Sequence, residues 1–149
     1  MNPFLLPPRS RLGSWRTLRT SLSDMDETAQ LATTAGYWSQ APLVNFAYDP
    51  EHPETWPSPW EMIDENLWCR NSIAIGMEFT LRLSGWNPSR LVLKLIRDLD
   101  ISDQMLVLEI DGALYLNYEF QAITPIPDTR RMTLAAIQYQ GRGYTHRDE

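Results

Sequence analysis

Residues 67–83 read as a helix that no surface can accommodate. Ile73, Met77 and Leu81 fall on one side of it and Ile75, Phe79 and Leu83 on another. A helix apolar on several sides has to be enclosed by other elements, and Gly85 follows as a stop signal. Downstream, residues 91–96 and 105–110 are apolar runs of strand length. Asp111-Gly112 tolerates positive φ at both positions and turns residues 113–118 back onto the second run. Helices first and an antiparallel sheet afterwards predict an α+β fold, with the central helix buried against the sheet. Pro125 and Pro127 are expected to end the sheet region.

Two further helices carry their own punctuation. Ser23 and Asp26 form an S-x-x-D start signal, Asp26 and Glu27 suit a helix N-terminus, and a helix over residues 24–40 follows, closed by Pro42. Residues 42–59 hold five prolines and read as an irregular connection. In Ser58-Pro59-Trp60-Glu61, Ser58 caps, Pro59 suits the first helical position and Glu61 closes a capping box. That short helix is expected to end near Asn66.

Charge divides the 149 residues unevenly. Residues 1–20 carry Arg9, Arg11, Arg16 and Arg19 with no acid, whereas residues 20–69 carry nine acids with no Lys or Arg. Pro3, Pro7 and Pro8 interrupt the one apolar stretch at the start, so no signal peptide is read there. Pro7-Pro8 also argues against a helix, which leaves an extended basic arm over residues 1–22. Such an arm buries too little to order itself. It is expected to be removable without loss of the fold and to dock through its four arginines on an acidic neighbouring subunit. The chain then divides into this arm, a domain over residues 23–128 and a C-terminal tail over residues 129–149. The acidic body argues against nucleic acid as a partner, and no apolar run reaches the ~18 residues of a membrane span.

Local motifs add a family. Trp56-Pro57-Ser58-Pro59-Trp60-Glu61, then Cys69-Arg70-Asn71-Ser72-Ile73-Ala74, then Gly85-Trp86-Asn87-Pro88-Ser89-Arg90-Leu91, Ile96-Arg97-Asp98-Leu99, Met105-Leu106-Val107-Leu108 and Leu116-Asn117-Tyr118 follow one another. In order and spacing they resemble the W-x-[ST]-P-x-E, C-E-D-Y-A, H-A-V-L and L-D-N segments of the bacterial transglutaminase-like cysteine peptidases. The resemblance covers about residues 53–122. It implies a papain/transglutaminase-like fold with a nucleophile at Cys69, at the head of the buried helix.

The chemistry that this resemblance implies is incomplete. Such a peptidase needs a thiolate, a histidine to take and return the proton, and an orienting Asp or Asn. Cys69 stands at the nucleophile position and Asn117 at the orienting one, but Met105 stands where the histidine belongs, and a thioether cannot accept a proton. Trp68 and Asn71 replace the acids that flank the cysteine. His52, in the proline-rich connection, and His146, in the tail, lie on other segments. Cys69, Met105 and Asn117 therefore read as vestiges, with no catalytic residue expected, and Cys69 as a small side chain packed between helix and sheet.

The remaining constellations read as structure. Trp38, Trp56, Trp60, Trp68 and Trp86 suit core and loop packing more than an aromatic cleft. Asp98, Asp100 and Asp103 alternate over a loop but lack the EF-hand spacing and its terminal Glu, so a solvated acidic turn is expected rather than calcium. One cysteine excludes an internal disulfide, and two histidines leave little for zinc. No metal or cofactor is expected. The reading is a non-catalytic structural protein whose partners are neighbouring protein subunits. The specific expectation is a bacteriophage virion component (neck, head–tail connector or tail), located in the virion or the cytoplasm. The alternatives are an active cysteine peptidase or amidase using Cys69, or a module that holds a peptide in the former cleft.

Overall fold

A computed structural model of the chain describes residues 2–44, 48–49, 52–100, 103–126 and 131–137. Its helices are α1 (Pro8–Ser21), α2 (Glu27–Trp38), α3 (Pro59–Glu65) and α4 (Arg70–Leu83), and its strands are β1 (Leu91–Asp98), β2 (Asp103–Ile110), β3 (Leu114–Leu116), β4 (Ile123–Pro125) and β5 (Arg131–Ile137). The strands form one sheet in the order β4-β3-β2-β1-β5, with every neighbouring pair antiparallel. The fold is α+β, with the helices layered on one face of the sheet.

Local chemistry places most boundaries. Ser58 Oγ accepts from the Glu61 N–H while the Glu61 carboxylate accepts from the Ser58 N–H, and Pro59 opens α3 behind that box. Asn66 ends α3 in the left-handed region, at φ 57°. Asp26, rather than Ser23, caps α2, accepting from the Ala29 N–H at 2.8 Å. Asp111 and Gly112 take φ of 55° and 66°, and the Ala113 N–H closes the turn onto the Ile110 carbonyl.

Alternation along β1 and β2 divides the interior. Leu91, Leu93, Leu95, Leu106, Leu108 and Ile110 belong to the main core under the helices. Ile96, Met105, Val107 and Tyr115 make a second, smaller cluster. Through the main core runs α4, buried from Ser72 to Leu81. Gly76 brings it against α2, because a Cβ there would stand 2.5 Å from the Trp38 ring.

Two expectations are overturned. The N-terminal segment is not an extended arm: Pro7 and Pro8 sit at the N-cap and first position of α1, where proline is tolerated because those N–H groups have no intrahelical acceptor. Arg11, Trp15, Leu18 and Arg19 then share the buried side of that helix. Nor does the sheet end at Pro125 and Pro127. β4 ends at Pro125, but β5 lies beyond both prolines and pairs with β1, a bulge leaving Leu134 as the extra residue between Ala135 and Thr133. Part of the expected tail is thus a sheet strand, and residues 138–149, with Gly141-Arg142-Gly143 and His146, lie outside the described residues.

Arg90 joins three elements at one edge. It forms paired bonds with Glu27 of α2 (2.7 and 2.9 Å) and with Asp111 of the hairpin (2.8 and 2.7 Å), and it stacks 4.3 Å over Trp86. Hydrogen bonding to Arg90 holds both carboxyls below their ordinary values of 4.5 and 3.8. A carboxyl depressed on folding contributes stability that is present above its unfolded pKa and lost as pH falls through its folded one. Arg90→Met is therefore expected to lower the midpoint of thermal unfolding at pH 7, by a margin that shrinks as pH falls below about 4. Equal deficits at pH 7 and pH 3 would contradict this joint.

Candidate functional site

Cys69 is the N-cap of α4. Its N–H donates to Ser72 Oγ and its carbonyl accepts from the same hydroxyl, both at 2.9 Å. Cys69 is 4% exposed. Trp68, before it, turns wholly into the helical layer: its ring packs 5.1 Å from Trp38 and 5.5 Å from Phe4, and its indole N–H donates to Asn66 Oδ1 at 2.9 Å.

Arg70, after the cysteine, reaches across the start of β2. Its Nη2 donates to the Tyr118 carbonyl at 3.2 Å and stands 3.3 Å from Met105 Sδ. Asn117, just past β3, adopts φ 68°. That conformation lets its amide Nδ2 donate to the carbonyls of Arg70 and Leu106, at 2.9 and 3.0 Å. The Tyr118 hydroxyl donates to Asp98 Oδ2 at 2.8 Å.

Arg70, next to Cys69, thus ties Met105 and Asn117 together where α4, β2 and β3 meet. What it assembles there is a brace. Met105 is buried beside Val107 and Tyr115, and Asn117 Nδ2 is spent on two main-chain carbonyls. Among the described residues the histidine is His52, which is exposed with Nδ1 3.1 Å from Glu54 Oε1 and Nε2 3.9 Å from Asp49. Trp15, Trp38, Trp56 and Trp68 are fully buried, so these indoles build the core.

The four arginines read as docking groups separate into two pairs. Arg9 and Arg16 are exposed. Arg11 is buried and donates to the carbonyls of Ile63 (2.8 Å), Leu6 (2.6 Å) and Asp64 (2.7 Å). Arg19 is buried with its guanidinium 4.3 Å over Trp15. Helical periodicity, invisible once an extended arm is assumed, turns these two inward.

Sequence reasoning also missed a groove of about 210 Å³ beside the brace. Ile73 and Met77 of α4 lie along it with Ala35 and Leu43, and residues 117–122 form its opposite wall. The legible signal was Phe120, an aromatic residue among polar neighbours between two short strands; it is 78% exposed.

Solved structures of Legionella pneumophila LapG, a bacterial transglutaminase-like cysteine protease, share this fold. One superposes with a TM-score of 0.70 at 23% identity, covering 88% of this chain and 76% of that one. The calcium-bound form gives 0.73 at 22% identity, covering 95% and 84%. An EGTA-treated form gives 0.69 at 23%, covering 88% and 74%. The likeness establishes the transglutaminase-like fold. No family model and no curated protein matches the chain.

Calcium belongs to that neighbour. Here the residues around the cysteine are an indole, a guanidinium and an amide, and Asp98 is engaged by the Tyr118 hydroxyl and the Asp100 N–H. Among the described residues no three His, Cys, Asp or Glu side chains converge as a metal site. No helix among them is long and apolar enough to cross a membrane.

Proposed function

We propose that this chain is a non-catalytic interaction protein on a transglutaminase-like fold, serving as one subunit of a larger protein assembly. One observation carries the reading: Met105, buried with its sulfur 3.3 Å from Arg70 Nη2, occupies the position at which the resembled family has its histidine. A nucleophilic cysteine needs a proton acceptor within hydrogen-bond reach. A thioether is not one, so this position offers nothing to take the proton. Burial of the thiol supports the same reading, since reactive cysteines are partly exposed.

The test is alkylation of the native protein. Iodoacetamide should modify Cys69 more slowly than it modifies a free thiol such as glutathione, with full reaction only on unfolding. Cys69→Ala should keep the fold and cost about 1 kcal/mol or less. Selective, fast labelling of native Cys69 by a thiol-directed electrophile would overturn the reading.

Within it, the proposed setting is a bacteriophage neck, head–tail connector or tail, where a fold with Met105 in place of a catalytic base can serve as a scaffold. Antibody against the chain should decorate intact particles. Recovery only from the particle-free fraction of producing cells would remove this setting.

A further inference from the structure

The strap between β3 and β4 is held at both ends. It leaves β3 through Asn117 and turns back through Gln121, both at positive φ (68° and 59°). Asn117 is tied to the Arg70 and Leu106 carbonyls, the Tyr118 hydroxyl to Asp98, and Gln121 Nε2 to Ser39 Oγ at 3.1 Å. A strap braced in this way holds Phe120 out in solvent, 78% exposed, on the rim of the groove floored by Ile73 and Met77. Leu43, on the same groove, is 63% exposed. Keeping large apolar groups in water beside an apolar hollow is unfavourable unless something covers them.

We propose that a second copy of this chain docks on this face about a two-fold axis, each Phe120 filling the other copy's groove. A two-fold interface has to be self-complementary, and this patch is so in shape: it carries a knob next to a hole. The hole is large enough, at about 210 Å³, since an apolar cavity of about 150 Å³ admits benzene. It is also self-complementary in charge. Glu119, next in sequence to Phe120, and Arg70, at the head of α4, both line the groove and are both exposed. Seating Phe120 of one copy against Ile73 of the other brings Glu119 towards Arg70, twice, and opposite charges across an interface set its register. The pairing deepens the assembly role proposed above and rests on it for association alone.

Sedimentation of the full chain across a concentration series tests it. The wild type should show a concentration-dependent monomer–dimer equilibrium. Phe120→Asp should raise the dissociation constant at least about tenfold, as loss of a central aromatic anchor does, with an unchanged circular dichroism spectrum. Leu5→Asp, at another exposed apolar residue, should leave it alone. Glu119→Arg and Arg70→Glu should each weaken self-association, and mixing the two variants should restore it, because the mixed pair again matches positive with negative at both contacts.

A chain that stays monomeric at every concentration overturns the interface. So does a dimer that ignores Phe120→Asp, a mixture no tighter than either variant alone, or a monomer that uses Phe120 to bind a different protein. A monomer whose Cys69 is still inert removes the interface and leaves the non-catalytic reading standing. A Phe120-dependent dimer with a selectively labelled Cys69 does the reverse.

Discussion

A chain lacking residues 1–20 is expected not to fold. The segment supplies Phe4, Trp15 and Leu18 to the main core, at 3%, 0% and 8% exposure. Emptying one such site costs about 2–5 kcal/mol, and a domain has only about 5–15 kcal/mol in total. The loss is also polar. Arg11 satisfies the Ile63 and Asp64 carbonyls in the last turn of α3, where a helix has no N–H donors of its own for them. Without α1 those groups lose their donor, at about 1–3 kcal/mol for each one left buried. Near-ultraviolet circular dichroism and urea titration of the truncated chain should show no cooperative transition. The milder Arg11→Met should fold but lose about 2–4 kcal/mol. A truncated chain that unfolds cooperatively with native-like spectra would restore the detachable arm.

Thr80→Val is expected to cost about 2–5 kcal/mol, although the two side chains are nearly the same shape. Thr80 Oγ1 accepts the indole N–H of Trp15 and that of Trp38, each at 2.9 Å, and donates to the Gly76 carbonyl at 2.7 Å. Trp15, Trp38 and Thr80, whose side chains meet there, are fully buried. Valine leaves two buried N–H donors without an acceptor, and an orphaned buried donor costs far more than the net worth of the bond it lost. Thr80→Ser, which keeps the oxygen, should recover most of the loss. Chemical denaturation of the three proteins measures this; a Val variant within about 0.5 kcal/mol of wild type would mean that the indoles find other partners.

That hydroxyl also marks the limit of what the chain discloses before it is folded. The α3 start was legible because every group involved lies within four residues, from Ser58 to Glu61, and the β2–β3 hairpin because Asp111-Gly112 states its own backbone geometry. The apolar periods of α4, β1 and β2 placed the core. The meeting of Trp15, Trp38 and Thr80 was not legible, because it depends on three helices crossing at one point and no local pattern records the crossing. The N-terminal helix was obscured by its own proline pair, which forbids a helix interior and suits a helix start; only burial of the residues at 11, 15, 18 and 19 separates the two.

The candidate site follows the same division. Motif order pointed to the segments of Cys69, Met105 and Asn117 as neighbours, and Arg70 links the latter two. The bonds from Asn117 to two carbonyls and from Arg70 to Tyr118 were beyond reach, since they depend on a positive φ at residue 117 and on the trajectory of a long side chain. The groove was likewise hidden, because its walls come from α2, α4 and the strap, which lie far apart along the chain.

The position of β5 bears on how this protein is made. β1 lies between β2 and β5 in the sheet, yet its second neighbour is translated about thirty residues after β1 itself is complete. A ribosome-bound nascent chain that stops short of residue 131 therefore presents β1 with one side of its ladder open. Unpaired strand edges are where growing chains join one another instead of themselves. Synthesis of this protein then carries a vulnerable interval that closes only when Arg131–Ile137 leaves the exit tunnel, and slow codons just before that strand would lengthen it.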